Sequence, residues 1–216
     1  MDPQFWIKAW KEGRTNFHQD QYHSKLVEYL PTMALIKGQK VLVPLCGKTK
    51  DLIWLHGLGL RVRGVELYDE AVRAFFEENG YPRPQITQDE TYTHYAHDDI
   101  VVSCGDFFKL NENDAYDLIY DRGALVALPP PMRRAYAEVI KRAVKVGGGY
   151  LLIVYQYDAS KMQGPPFAVD DDEIHGLYED RFDIRLMESK RPDNEGARLA
   201  AVESLRQNVY ILKRRS

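Results

Sequence analysis

The sequence is poor in the features that most directly betray a function. Two cysteines, Cys46 and Cys104, stand among 216 residues. Both lie in or beside apolar runs, where thiols are commonly buried and inert, so the chain reads as cytoplasmic. No apolar run reaches the ~20 residues of a membrane-spanning helix. The opening MDPQFWIKAW lacks the apolar core of a signal peptide. A basic excess is also missing: 29 Lys and Arg face 32 Asp and Glu, for a net charge of −3. Only the Lys213-Arg214-Arg215 cluster is basic, which argues against a nucleic-acid partner. His94 and His97 have no carboxylate or cysteine at metal-ligand spacing, so the expectation is no metal and an exposed loop.

Two nucleotide-binding signatures are absent as well. Gly47-Lys48-Thr49 hints at a phosphate-binding loop, but the glycine required five places earlier is Leu42. No G-x-G-x-x-G follows a strand; Gly57 and Gly59 read as the end of a helix. A pyrophosphate cradle is therefore excluded.

What is present centres on Lys40 to Asp51, KVLVPLCGKTKD. Val41-Leu42-Val43 is a short apolar run broken by Pro44 and turned at Gly47, which predicts a buried strand ending in a loop. From Asp51, DLIWLHGLG continues as a helix. Ligands of open α/β sheets bind at such strand ends, where a helix N-terminus offers free N–H groups. Arg61 to Leu67 predicts the next strand, with Glu66 near its tip. An acid about 20 residues past the glycine turn is placed to accept hydrogen bonds from ribose hydroxyls. A solvated strand-end carboxylate is the plain alternative, and the pairing with Gly47 favours the ligand.

The remaining chain alternates strands with helices, which predicts an α/β fold with a mostly parallel sheet. Met1 to Gln19 is read as irregular and aromatic-rich, with Trp6, Trp10 and Phe17 either plugging the core rim or covering a ligand as a lid. Ser24 to Leu30 is a short helix ended by Pro31. Asp69 to Asn79 is a helix stopped by Gly80, with Val72, Phe75 and Phe76 facing the core. Residues 81–98 form a polar excursion at the sheet edge. Ile100 to Cys104 is the third strand, ending in Gly105-Asp106 at the same edge as Gly47 and Glu66. Tyr116 to Tyr120 is the fourth, followed by Asp121-Arg122-Gly123. A charged pair beyond a buried strand is costly unless it is paired or ligand-bound. Pro129 to Lys145 is a helix ended by Gly147-Gly148-Gly149. Tyr150 to Tyr155 is the fifth strand, Gln156 to Val169 a loop, and Asp170 to Tyr178 a short helix. Phe182 to Glu188 and Gln207 to Lys213 close the chain as an antiparallel pair.

The motifs WKEGRTNFH (Trp10 to His18), VPLCGK (Val43 to Lys48), Gly64-Val65-Glu66, DRGALVA (Asp121 to Ala127) and GPPF (Gly164 to Phe167) run in one order over nearly the whole chain. In them the chain resembles the thiopurine S-methyltransferases, especially the smaller bacterial members. The resemblance implies the class I S-adenosylmethionine-dependent methyltransferase fold. That fold is a Rossmann-like, mostly parallel seven-stranded sheet with an antiparallel last strand and helices on both faces. It also implies a single domain over 1–216 with residues 1–30 as a helical, aromatic lid. Trp10, Leu45, Glu66 and Arg122 are the implied cofactor contacts, with Gly47 as the close-approach glycine and Gly105 and Asp106 flanking the adenine. Phe17 is expected to face the acceptor. Arg198 is the candidate for a second acceptor-side arginine, since residues 192–201 depart from the vertebrate pattern. Arg122 is also placed to hold negative charge on the acceptor.

The implied reaction moves a methyl group from S-adenosyl-L-methionine to the sulfur of a small aromatic or heterocyclic thiol, leaving S-adenosyl-L-homocysteine. Alignment and water exclusion carry such a transfer, so no catalytic base is assigned. The partner is a small molecule, with neither nucleic acid nor membrane, and the family suggests a monomer. Selenium, tellurium or other soft nucleophiles are alternative acceptors, and a non-catalytic S-adenosylmethionine-binding module is the alternative role. Tyr157 and Lys161 have dehydrogenase-like Tyr-x-x-x-Lys spacing without the required glycine-rich turn. An amino-group methyltransferase would carry Pro-Pro after the fourth strand, where this chain has DRGAL.

Overall fold

The computed structural model describes residues 3–15, 18–192 and 197–216. It divides into two compact units, Met1–Asn111 and Glu112–Ser216. Among the described residues there are nine strands, five in the first unit and four in the second. Two of these exceed the expected seven, and both lie in the polar excursion.

In the first unit, β1 (Lys40–Pro44) pairs in parallel with β2 (Arg61–Glu66). Three consecutive β-branched or leucyl side chains, Val41 to Val43, are buried, as expected of a strand covered on both faces. On its other side β2 pairs in parallel with β5 (Ile100–Cys104). The excursion is a hairpin, β3 (Gln85–Gln88) and β4 (Thr93–His97), which adds antiparallel to β5. The order in this unit is therefore β3-β4-β5-β2-β1.

The helices of this unit follow the expected positions with two corrections. Residues read as irregular begin with α1 (Pro3–Lys11), an amphipathic helix. It ends at Gly13 in a Schellman arrangement, where Gly13 N–H donates to Trp10 and Arg14 N–H to Ala9. Pro31 does not stop the chain's helical path after α2 (Ser24–Tyr29); it sits in a 3-10 helix over Leu30–Met33. Next come α3 (Asp51–Gly57) and α4 (Asp69–Glu78), the latter burying Val72, Phe75 and Phe76 and followed by Gly80 at φ 82°.

In the second unit, β6 (Tyr116–Arg122) pairs in parallel with β7 (Val144–Gln156). Antiparallel β9 (Arg206–Arg214) lies between β7 and β8 (Phe182–Lys190), giving β6-β7-β9-β8. Helix α5 (Pro130–Ala143) starts at a proline and buries Tyr136, Val139, Ile140 and Ala143. Its end corrects the expectation: Gly147-Gly148-Gly149 belongs to β7, not to a helix stop. The register shifts here, with Tyr116 opposite Val144 and Leu118 opposite Gly149. The glycines thus form a bulge. A Cβ on Gly148 would lie 2.8 Å from the Lys145 carbonyl oxygen and 3.1 Å from that of Asp117. Helices α6 (Asp171–Tyr178), capped by Asp170, and α7 (Ala197–Ala200) complete the unit. Among the described residues, no helix is long and apolar enough to cross a membrane.

Candidate active site

The turn after β1 is built from left-handed backbone. Leu45 has φ 46° and Gly47 φ 54°, and the turn is pinned by Cys46 N–H to the Val65 carbonyl at 3.0 Å. A leucine in that region is uncommon. Its consequence is that the Gly47 N–H turns towards the tip of β2, donating to Glu66 Oε2 at 2.8 Å. Glu66 Oε1 accepts from the Tyr68 N–H at 2.9 Å. The carboxylate is buried, and desolvation raises its pKa against the opposing pull of the Tyr68, Gly47 and Leu67 amides.

Gly64 explains why the two motifs belong together. A Cβ there would lie 2.6 Å from Cys46 Sγ, so the buried thiol of the turn occupies the space a β2 side chain would need. Burial pushes the Cys46 thiol well up, and likewise the Cys104 thiol to about 11. Neither is a thiolate at neutral pH.

Trp10, in the last turn of α1, covers the corner. Its Cζ2 lies 3.0 Å from where a Gly47 Cβ would be, and its ring stacks on Tyr68 at 6.5 Å and 25°. Helix α3 contributes differently from expectation. It is only seven residues long, and its first-turn Asp51 is buried and accepts from the His23 N–H at 2.8 Å. That end of α3 ties the N-terminal segment down. Lys48 is likewise engaged, in a 2.6 Å ion pair with Glu78.

The tip of β5 joins the same corner, since the Gly105 N–H donates to the Glu66 carbonyl at 2.8 Å. The Asp106 carboxylate caps a 3-10 helix over Phe107–Lys109 through the Phe108 N–H at 3.0 Å. Trp10, Leu45, Gly47, Glu66, Gly105 and Asp106 thus share the strand-tip region of the first unit. Arg122 is half-buried at the end of β6 in the second unit. Phe17 lies outside the described residues, as does the side chain of Arg198, whose backbone belongs to α7.

Asp121 is taken up internally. Its Oδ1 accepts from the Ala124 and Leu125 N–H groups at 3.0 and 3.2 Å. Its Oδ2 accepts from the Tyr136 and Tyr150 hydroxyls at 2.7 and 2.9 Å. Tyr157 is spent too, donating to the Pro166 carbonyl at 2.6 Å, which leaves the Tyr-x-x-x-Lys spacing without a reactive hydroxyl. His94 is not in an exposed loop but on β4, between Ser103 Oγ and Asp89 Oδ2 at 2.9 Å each. Among the described residues, no group of three or more His, Cys, Asp or Glu could hold a metal ion. Tyr68 and Tyr92, both against site glycines or their neighbours, were not singled out by sequence. Nothing in the pattern separates them from the other tyrosines among fourteen.

Among the described residues of this corner, a buried carboxylate acceptor stands beside two glycines and Lys48 is engaged by Glu78, a set that suits a nucleoside better than a phosphate. The chain is 42% identical over 221 aligned positions to thiopurine S-methyltransferase of Bordetella parapertussis, covering 99% of both chains. It is 40% identical over 219 positions to the enzyme of the same name from Azotobacter vinelandii, covering all of both. Among solved structures it is similar to a 1,6-didemethyltoxoflavin-N1-methyltransferase from Burkholderia thailandensis with bound S-adenosylhomocysteine. That likeness has a TM-score of 0.63 and 16% identity, over 99% of this chain and 87% of that one. A methyltransferase of Methanosarcina mazei described as S-adenosylmethionine-dependent gives a TM-score of 0.65 at 16% identity, over 90% of this chain and 99% of that one. The fold is accordingly the class I methyltransferase fold. A sequence model of the thiopurine S-methyltransferases matches residues 1–215, and the chain belongs to that family.

Proposed function

We propose that the protein is an S-adenosyl-L-methionine-dependent methyltransferase acting on the sulfur of small aromatic or heterocyclic thiols, with S-adenosyl-L-homocysteine as the second product. The observation that carries this reading is the Glu66 carboxylate, buried at the tip of β2 and already oriented by the Gly47 N–H. In the proposal it accepts hydrogen bonds from the two ribose hydroxyls. Gly47 and Leu45 line the approach of the amino-acid end, Gly105 and Asp106 flank the adenine, and Trp10 covers the corner. Arg122 contacts the cofactor or holds negative charge on the acceptor, while Phe17 and Arg198 are assigned to the acceptor side.

When bound, the cofactor supplies an electrophilic methyl group, which an in-line thiolate takes while the electron pair of the broken bond returns to the sulfonium sulfur. The chain's task is alignment and exclusion of water. The indole of Trp10 suits a cation, because its face is electron-rich. An acidic aromatic thiol is already largely ionised at neutral pH, so no general base is assigned. The raised pKa values of Cys46 and Cys104 speak against a methylated cysteine intermediate.

The single-domain organisation over 1–216, the lid role of residues 1–30, a monomeric state and a cytoplasmic location belong to the same proposal. The family match through residue 215 supports the first of these. The test is transfer of a radiolabelled methyl group from S-adenosylmethionine to a panel of small thiols, selenium and tellurium species. Methylation of aromatic thiols with formation of S-adenosylhomocysteine is expected. Tight cofactor binding without turnover on any member would leave only a binding module.

A further inference from the structure

The β3–β4 hairpin lies outside the seven expected strands, yet its turn is built into the tip of β5. Asp89 locks that turn: its Oδ1 accepts from the Thr91 and Tyr92 N–H groups at 2.7 Å each, and its N–H donates to the Tyr92 carbonyl at 3.0 Å. Tyr92 is buried as a result. Its ring presses on Gly105, where a Cβ would lie 2.5 Å from Cδ1, and its hydroxyl donates to the Asp106 carbonyl at 2.8 Å. The circuit closes through side chains. His94 bridges Asp89 Oδ2 to Ser103 Oγ, and the Arg63 Nε–H donates to the same hydroxyl at 3.0 Å. The Arg63 guanidinium also stands over the Tyr92 ring at 5.8 Å. Ser103 is fully buried, so this serine, histidine and aspartate cannot act as a hydrolytic triad. The arrangement has one mechanical output: it fixes the Gly105-Asp106 peptide from behind.

We infer that Tyr92 is a positioning residue for recognition of the cofactor's base. It acts through Gly105 and Asp106, and the Asp89–His94–Ser103 chain holds it in place. The inference rests on the proposed reading that the adenine lies at Gly105 and Asp106. Tyr92 itself touches no reacting atom.

The test measures affinity for S-adenosylhomocysteine and for its deaminated analogue S-inosylhomocysteine by calorimetry, in the wild type, Tyr92→Phe and Glu66→Ala. Tyr92→Phe keeps the ring and removes the hydroxyl. It is expected to weaken S-adenosylhomocysteine binding about three- to tenfold, the scale of one buried hydrogen bond. It should also reduce the preference for the adenine over the hypoxanthine form. KM for S-adenosylmethionine rises while kcat at saturation stays within about twofold, because the base is remote from the methyl group. Glu66→Ala acts on the ribose and weakens both ligands equally. Ser103→Ala, at the other end of the circuit, should reproduce a smaller loss of base preference.

A folded Tyr92→Phe protein with unchanged affinity and unchanged base preference overturns the inference, even if its melting temperature falls. If that variant does not fold, Ser103→Ala decides by the same ratio. Failure of the wild type to bind S-adenosylhomocysteine at all would instead remove the underlying functional reading.

Discussion

Glu66 and Asp121 invite comparison. Each is a carboxylate at the C-terminal end of a parallel strand, each is buried, and desolvation raises the pKa of each. A carboxylate has about four lone-pair sites. Asp121 fills them with two backbone amides and two tyrosine hydroxyls, all within 3.2 Å. Glu66 has two amides within 2.9 Å and no side-chain donor among its hydrogen bonds. The first is a saturated structural node that caps the turn after Arg122. The second is oriented but keeps acceptor capacity. Residue type, burial and position on a strand do not separate the two carboxylates; the count of their donors does, and it leaves acceptor capacity on Glu66 for the proposed ligand.

The largest effect expected from this contrast is on stability. Asp121→Ala strands two hydroxyls and two amides in the interior and should cost about 3–5 kcal/mol in urea unfolding. A loss below 1 kcal/mol would place Asp121 with Glu66 and erase the distinction. Glu66→Ala should instead weaken S-adenosylhomocysteine binding by about 1–3 kcal/mol, with a smaller loss of stability than Asp121→Ala. Calorimetry showing wild-type affinity would break the comparison from the other side.

A third variant sharpens the Glu66 half. Gly64→Ala drives a methyl group against Cys46 Sγ and should destabilise by about 1–3 kcal/mol. Adding Cys46→Ala should restore part of that loss, so a double-mutant cycle that is simply additive would contradict the packing account.

The smallest effect is on pH dependence. Because the native pKa of each acid is raised, the folded chain holds more protons than the unfolded one between about 3.9–4.3 and the native value. The stability each group contributes is therefore present at the acid end of that window and declines as pH rises through it. Asp121→Asn and Glu66→Gln should each flatten part of the fall in stability from acid towards neutral pH, followed by chemical denaturation at a series of pH values. A slope that neither variant alters would mean that burial does not perturb these groups.

Much of the corner around Glu66 was legible because its signals are local. An apolar triplet, a proline, a glycine and an acid about 20 residues on specify strand, turn and partner without reference to the rest of the chain. The hairpin was not legible, because Gln85 to Gln88 are all exposed and show no apolar alternation. Its role depends on Tyr92 meeting Gly105, a contact set by β5 and invisible to spacing. The glycine run after α5 misled for a related reason. Glycine marks helix ends and strand bulges alike, and only the register of β6 on β7 decides between them. The saturation of Asp121 is hidden from the sequence too, since its donors Tyr136 and Tyr150 come from a helix and a strand that sequence order separates.

The bond between Gly47 and Glu66 has a last consequence, for the cost of association. Two backbone amides already hold the carboxylate in one rotamer at the strand end. A ligand that meets it has no floppy glutamate to freeze. The loss of side-chain freedom, worth up to about 2 kcal/mol for such a residue, was met when the chain folded and is not charged again at each encounter.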